Sequence, residues 1–194
     1  MKPDWADDLD HARAEAWRLL SAGASDRRSA FHTPTIATSA LDGRPRLRTV
    51  VLRSVDTGAL TLRFHTDRRS DKIAELTRDP RVAAHFYDPA AKIQLRAEGK
   101  ASLHHDDAVA QSAWQASQRM SRICYGTAPA PGSPIAAGGA FSLPELTPEI
   151  EAGRENFLAV VVDVQRLEWL YLAHGGHRRA LFDEVTRTRV WLVP

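Results

Sequence analysis

What most constrains this chain is the texture that begins at Thr33: short runs of β-formers, each closed within a few residues by a turn signal. Thr35-Ile36-Ala37-Thr38 leads into Asp42-Gly43, a pair that tolerates the positive φ of a tight hairpin. The return run, Leu47 to Val55, alternates Leu47, Thr49 and Val51 on one face with Arg48, Val50 and Leu52 on the other. A turn at Asp56-Thr57-Gly58 precedes a third strand, Ala59 to His65. Ser70 is placed to cap a short helix, Asp71 to Arg78, which Pro80 stops. Strands over Val82 to Tyr87 and Lys92 to Leu103 follow, joined across Asp88-Pro89. The end is β again: Phe157 to Val164, Leu167 to Ala173, a Gly175-Gly176 turn, His177 to Asp183 and Arg189 to Val193. The expected fold class is mainly β with peripheral helices, an α+β β-barrel rather than a doubly wound sheet.

Three segments interrupt this pattern. Trp5, Leu9, Ala12, Ala16 and Leu20 recur at helical spacing, so a helix is expected over about 4–22, capped by Asp4 and ended by Gly23. Asp106 to Arg122 reads as a second helix, capped by Asp106 or Asp107. Residues 125–146 are rich in Gly, Pro, Ala and Ser and read as a long surface loop, with Thr147-Pro148-Glu149 as a helix start. At 194 residues, one domain spanning 1–194 is expected. A formal net charge of +2 and the lack of an aromatic-basic platform argue against nucleic acid. The N-terminus lacks a signal-peptide core and no stretch is apolar enough for a membrane span, so no membrane association is expected. A single cysteine, Cys124, fits a reducing compartment, and the expected location is cytoplasmic.

Chemistry concentrates in three clusters. Arg48-Thr49-Val50-Val51-Leu52-Arg53 flanks an apolar strand with two arginines, which alone is the pattern of a solvated face. Thr66-Asp67-Arg68-Arg69-Ser70-Asp71-Lys72 runs from a strand end into a helix N-terminus, where unpaired amides, the helix dipole and basic side chains favour an anion. Gln94-Leu95-Arg96 places a glutamine within a buried strand, where it can simply satisfy a polar group of the barrel. His104-His105-Asp106-Asp107 reads as a strand end meeting a helix cap rather than a metal site, and no metal is expected.

In order and spacing these clusters resemble the pyridoxamine 5′-phosphate oxidase family of split barrels that bind flavin mononucleotide (FMN). The Arg48 to Arg53 strand matches the first motif of that family. Phe64-His65-Thr66 with Ser70 and Lys72 matches the second, and Gln94, Arg96 and Gly99 match a Gln-x-Arg-x-x-Gly strand. Glu168-Trp169 and His177-Arg178-Arg179 are similar to the closing motif. The resemblance implies an FMN-binding split barrel in which Arg48 and Lys72 hold the phosphate, helped by Thr66 and Ser70. It implies that Thr49, Val50, Val51, Leu52 and Arg53 lie along the isoalloxazine ring, with His65 beside Thr66 and Gln94 at the polar edge of the ring. Trp169 and Arg179, with Arg178 as the alternative to Arg179, would reach the flavin from the other subunit of a homodimer with shared FMN sites.

Two departures mark the chain. Asp71 stands where the family carries Arg, a charge that Arg69 could supply from the other side of Ser70. The substrate-phosphate grip of the family, Tyr, Arg and Ser at four-residue steps, reads here as Trp114, Gln118 and Arg122, and an Arg-x-His motif keeps only His177. The expected function is therefore an FMN-dependent oxidoreductase acting on a small molecule other than a vitamin B6 phosphate. The alternative is a non-catalytic flavin- or haem-binding split barrel, with His85, His174 or His177 as axial ligand. The sequence assigns no catalytic residue.

Overall fold

The computed structural model describes residues 4–144 and 153–194. Its first helix starts later than the apolar spacing suggests. A single 3-10 turn, Asp4–Asp7, precedes α1 (Leu9–Ser25). The cap is Asp8, not Asp4: its carboxylate accepts from the His11 amide at 2.8 Å. Gly23 does not end α1. A side chain there would begin 2.7 Å from the Phe31 carbonyl oxygen, so the glycine lets the chain that follows pack onto the helix.

Among the described residues nine strands follow: β1 (Thr35–Ser39), β2 (Pro45–Thr49), β3 (Leu52–Asp56), β4 (Thr61–Asp67), β5 (Arg81–Asp88), β6 (Ile93–His104), β7 (Phe157–Tyr171), β8 (Arg178–Asp183) and β9 (Thr188–Leu192). The β1–β2 hairpin turns at Asp42-Gly43, with Gly43 at φ 85°. The run read as one strand from Leu47 to Val55 is two strands. Val50 donates to the Pro34 carbonyl and Leu52 to that of His32, so the chain leaves β1 and goes on to pair with β4 instead.

The order is β2-β1-β5-β6-β7-β4-β3, with β8 and β9 branching from β7. The branch is what splits the barrel. The first half of β7 pairs with β4 from Phe157 to Asp163, its second half with β8 from Arg166 to Tyr171, and β6 runs along both. The two runs expected as separate strands, Phe157 to Val164 and Leu167 to Ala173, are thus one. A register shift at Glu98/Gly99 of β6 absorbs the bend, and a Cβ on Gly99 would stand 1.9 Å from the Asp163 carbonyl oxygen.

The barrel core gathers Trp17 and Leu20 of α1 with Ile36, Phe64, Phe86, Leu95, Val160, Trp169 and Phe182. A small second cluster lies elsewhere, where Trp114 and Ala113 of α3 (Ala108–Ala116) meet Phe157 and Ala159. The helix expected over 106–122 breaks at Ser117-Gln118 and resumes as α4 (Arg119–Arg122), followed by a 3-10 turn at Ile123–Gly126. Asp107 caps α3, accepting from the Ala110 amide at 2.9 Å. The helix start expected at Thr147-Pro148-Glu149 lies outside the described residues. Among the described residues no helix is long and apolar enough to cross a membrane.

Candidate functional site

The end of β4 and the start of α2 (Asp71–Arg78) build a cradle of hydroxyls around one ammonium. Thr66 and Ser70 are both buried, with their oxygens 3.2 Å apart. Lys72 Nζ donates to Thr66 Oγ1 at 2.8 Å and to Ser70 Oγ at 3.0 Å. An ammonium carries three donors, so one remains for a ligand. Ser70 sits at the N-cap of α2 without capping it through its side chain, because its hydroxyl donates to the Asp67 carbonyl at 2.7 Å. Burial pushes the Lys72 pKa down and the nearby Arg48 charge adds to this, against Asp67, Glu75 and Asp71, which raise it. An incoming anion would offset the depression by favouring the charged ammonium.

The cradle opens into a cleft of about 370 Å³. Thr49, Val50, Val51 and Arg53 form one side, His65, Thr66, Asp67 and Lys72 the floor, and Ser121, Cys124, Tyr125 and Pro131 the opposite wall. Leu52 points into the core. Arg53 makes no hydrogen bond or ion pair among the described residues, and its charge is felt by its neighbours. Burial brings the His65 pKa down to about 3, with Arg63 and Arg53 adding to the effect, so the imidazole is neutral across the physiological range. Its ring meets Phe157 edge-on at 4.8 Å, and its buried Nε2 has no hydrogen-bond partner. Burial pushes the Tyr125 phenol up to about 12.

Two basic residues expected at the phosphate are each held by an acid of the chain. Arg69 does not replace the charge missing at Asp71. Its Nε and Nη2 hold Asp67 at 3.0 and 2.7 Å, and its remaining donors reach the carbonyls of Thr127 at 2.9 Å and Ala128 at 3.2 Å. It thus ties the loop wall to the cleft floor. Asp71 pairs with Arg46 at 3.2 Å. Arg48 is not among the residues that line the cleft, but Glu75, one turn beyond Lys72 on α2, holds it next to the cradle. Its Nη2 donates to Glu75 Oε2 at 2.6 Å, and its Nη1 makes a short hydrogen bond to the Thr38 hydroxyl.

Gln94, Trp169 and Arg179 lie at the other end of β7. Leu170 is flanked by Gln94 on β6 and by Arg179 on β8, whereas His65 is opposite Ala159. Eleven residues of β7 separate the two levels, about 36 Å at ~3.3 Å per residue. None of these three groups is among the residues that line the cleft. Trp169 is fully buried, its ring stacked near Tyr171 and edge-on to Trp191, so it presents no face to a ligand on this chain. The side chains facing outward at this level are Gln94, Leu170 and Arg179. Arg178 donates to Asp7 at 2.7 Å, which leaves Arg179 as the outward arginine. Arg179 Nε and Nη2 each hold Glu168 at 3.0 Å, and Arg96 grips the same carboxylate. Burial raises the Glu168 pKa, but these hydrogen bonds outweigh it and leave the carboxyl below its ordinary value.

The helix that replaces the substrate grip of the family is locked internally. Arg122 sits 4.9 Å over the Trp114 ring and donates to the carbonyls of Ser117 and Gln115, while Gln118 accepts from Arg27 at 2.6 Å. His85, His174 and His177 are exposed. His104 pairs with Asp107 at 2.7 Å, and His105 spans Arg68 and the Phe157 carbonyl. Sequence reasoning missed the wall residues Ser121, Cys124, Tyr125 and Pro131. The break in composition at Tyr125, where an aromatic opens the Gly/Pro-rich stretch, was the available signal.

Comparison with known proteins bears on the fold and the family. A family model described as the FMN-binding domain of pyridoxamine 5′-phosphate oxidase matches residues 14–105. Pyridoxine/pyridoxamine 5′-phosphate oxidase 2 of Arabidopsis thaliana is 33% identical over 128 residues, covering 61% of this chain and 64% of that protein. The chain thus spans less than two thirds of this curated relative. A pyridoxamine 5′-phosphate oxidase-related, FMN-binding protein from Nostoc punctiforme has 26% identity and a TM-score of 0.70, with 100% of both chains covered. PhzG from Burkholderia lata, solved with tetrahydrophenazine-1-carboxylic acid, shares the fold at 17% identity and a TM-score of 0.73, covering 100% of this chain and 98% of that one.

Proposed function

We propose, on the premise that this chain belongs to the pyridoxamine 5′-phosphate oxidase-like family of FMN-binding split barrels, that it is a flavoprotein oxidoreductase acting on a small molecule. The observation that carries the cofactor reading is the Lys72–Thr66–Ser70 cradle at the N-terminus of α2, opening into the cleft. A phosphate dianion suits that cradle. It can accept the free N–H of Lys72, both hydroxyls can turn to donate, and the helix terminus favours its charge.

The walls suit the rest of the group. Arg53, without a hydrogen bond or ion pair among the described residues, offers donors and positive charge along the Thr49–Arg53 side, and Tyr125 and Pro131 offer apolar surface opposite. His65, neutral, can donate or accept one hydrogen bond without bringing charge into the cleft. When bound, FMN supplies the two-electron chemistry. The residues of the chain hold it, screen one face from water and set the charge around it. The family grip for a vitamin B6 phosphate is missing, so the substrate is a different small molecule.

Titration of the purified protein with FMN and with riboflavin tests this. FMN is expected to bind, with riboflavin about 100-fold weaker, since the phosphate contributes charge-assisted hydrogen bonds of about 1.5–3 kcal/mol each. Lys72→Ala should weaken FMN about tenfold or more and leave riboflavin unchanged. Equal affinity for the two ligands in the wild-type protein would refute the phosphate site.

A further inference from the structure

Glu75 is a buried acid that the proposed flavin chemistry does not use. It lies one turn beyond Lys72 on α2 and is only 2% exposed. Its Oε2 accepts from the Thr38 hydroxyl at 2.5 Å and from Arg48 Nη2 at 2.6 Å. The same Thr38 oxygen accepts from Arg48 Nη1, so the three side chains close a ring of hydrogen bonds between β1, β2 and α2. Arg46 Nε, 3.9 Å from Oε1, is the next cation.

A ring of this kind is a costly way to fasten a helix to a sheet. Removing a carboxylate and a guanidinium from water takes several kcal/mol per ion, and apolar side chains of the same volume often join such elements as well or better. What the ring provides, and an apolar contact would not, is a fixed guanidinium. Arg48 has five N–H groups, two of which are used here. The three that remain belong to a guanidinium bound to Glu75, which is three residues from Lys72 and on the same face of α2. An arginine left to itself loses most of its rotamer freedom when it meets a ligand, whereas this one has lost it already.

We propose that Glu75, with Thr38, is the positioning residue of the anion site, holding Arg48 beside Lys72 so that its free N–H groups are offered to the flavin phosphate in a fixed orientation. The proposal rests on the reading of the cradle as the FMN phosphate site. The charge of Glu75 does not repel the ligand strongly, because Arg48 lies against it. Its effect on the ligand is transmitted through the orientation of that guanidinium.

The test is a set of dissociation constants for FMN and riboflavin on the full chain. The variants are Glu75→Gln, Thr38→Val, Arg48→Ala and the Arg48→Ala/Glu75→Gln double. Glu75→Gln keeps shape and one acceptor, and Thr38→Val reaches the same guanidinium without touching the buried charge, so a folding defect in one leaves the other to decide. Each is expected to weaken FMN about tenfold with riboflavin unchanged, the loss of one charge-assisted orientation. In the Arg48→Ala background, Glu75→Gln should add nothing further. Equal losses for both ligands would assign the ring to packing and overturn the proposal, as would unchanged or tighter FMN binding in both single variants. If Arg48→Ala weakens FMN and neither Glu75→Gln nor Thr38→Val does, only the positioning role fails. If Arg48→Ala itself changes nothing, Arg48 is not a phosphate ligand and the proposal falls with it, whereas Lys72→Ala tests the cradle separately.

Discussion

Burial of His65 makes the stability of this protein depend on pH. Its imidazole has an ordinary pKa of 6.5 and one of about 3 in the fold, driven first by burial and then by the charges of Arg63 and Arg53. The unfolded chain therefore takes up a proton that the folded chain refuses. Stability is complete above pH 6.5 and declines as pH falls toward 3. Between pH 8 and pH 5 the loss is set by the interval from 6.5 to 5, about 2 kcal/mol at 1.36 kcal/mol per pH unit. For a chain of this size that corresponds to roughly 4–8 °C in melting temperature. Asp79, held at about 2 by its hydrogen bonds from Arg81, titrates well below this window. The assay is thermal or urea unfolding of the flavin-free protein and of His65→Phe at pH 8 and pH 5. Phenylalanine keeps an edge-on contact with Phe157 and cannot titrate. The wild-type protein should lose about 2 kcal/mol more than the variant on acidification. Parallel pH dependences in the two proteins would refute the account of His65 as a buried neutral base.

Other outcomes follow from the same geometry. Pyridoxamine 5′-phosphate should be a poor substrate, with kcat/KM within roughly tenfold of that for pyridoxamine, because Arg122 and Gln118 are engaged within the chain. A large advantage for the phosphorylated amine in steady-state assays would show that the phosphate is gripped after all. Arg69→Gln should release the loop from Asp67 and raise limited proteolysis within residues 127–144 while the barrel stays folded by circular dichroism. Unchanged cleavage would mean that the wall is held by other contacts. Lys72→Ala and Arg179→Ala, each deficient in FMN binding, should partly recover it after unfolding and refolding together, since about half of randomly paired dimers are mixed and carry one intact site. No recovery, or a monomer in sedimentation, would count against a shared site.

What could be read from the sequence was whatever short-range chemistry decides. The Asp42-Gly43 turn, the span of α2 between Ser70 and Pro80, and the convergence of Thr66, Ser70 and Lys72 all follow from residues within a few positions of one another. What could not be read was decided by partners far along the chain. Leu47 to Val55 has the composition of one strand, and only the carbonyls of His32 and Pro34 divide it. Gln165-Arg166 looked like a break between strands, yet Gly99 on β6 lets β7 continue through it. Arg69 has the charge for a phosphate ligand, but the buried carboxylate of Asp67 two residues earlier captures it. The direction of Trp169 follows from its cross-strand partner. Ala180 leaves room inside the barrel for the indole, which turns Glu168 and Leu170 outward.

That outward turn bears on how a complete site could be assembled. A flavin held by its phosphate at Lys72 lies at the Ala159 level of β7, whereas Arg179 and Gln94 lie at the Leu170 level, a separation of about 36 Å along the strand. FMN is shorter than that path, which favours the proposal that a cofactor touched by both groups is shared between two chains. The face around Arg179 suits such a meeting. Glu168 fixes the direction of Arg179, as Glu75 does that of Arg48, while Leu170, Leu181 and Leu192 surround the charges with apolar surface. A two-fold axis would bring each cleft to the Arg179 face of the other chain and bury both at once. Both arginines are thus braced by an acid before any ligand arrives, Arg48 within the chain and Arg179 on the face it would offer to a second copy.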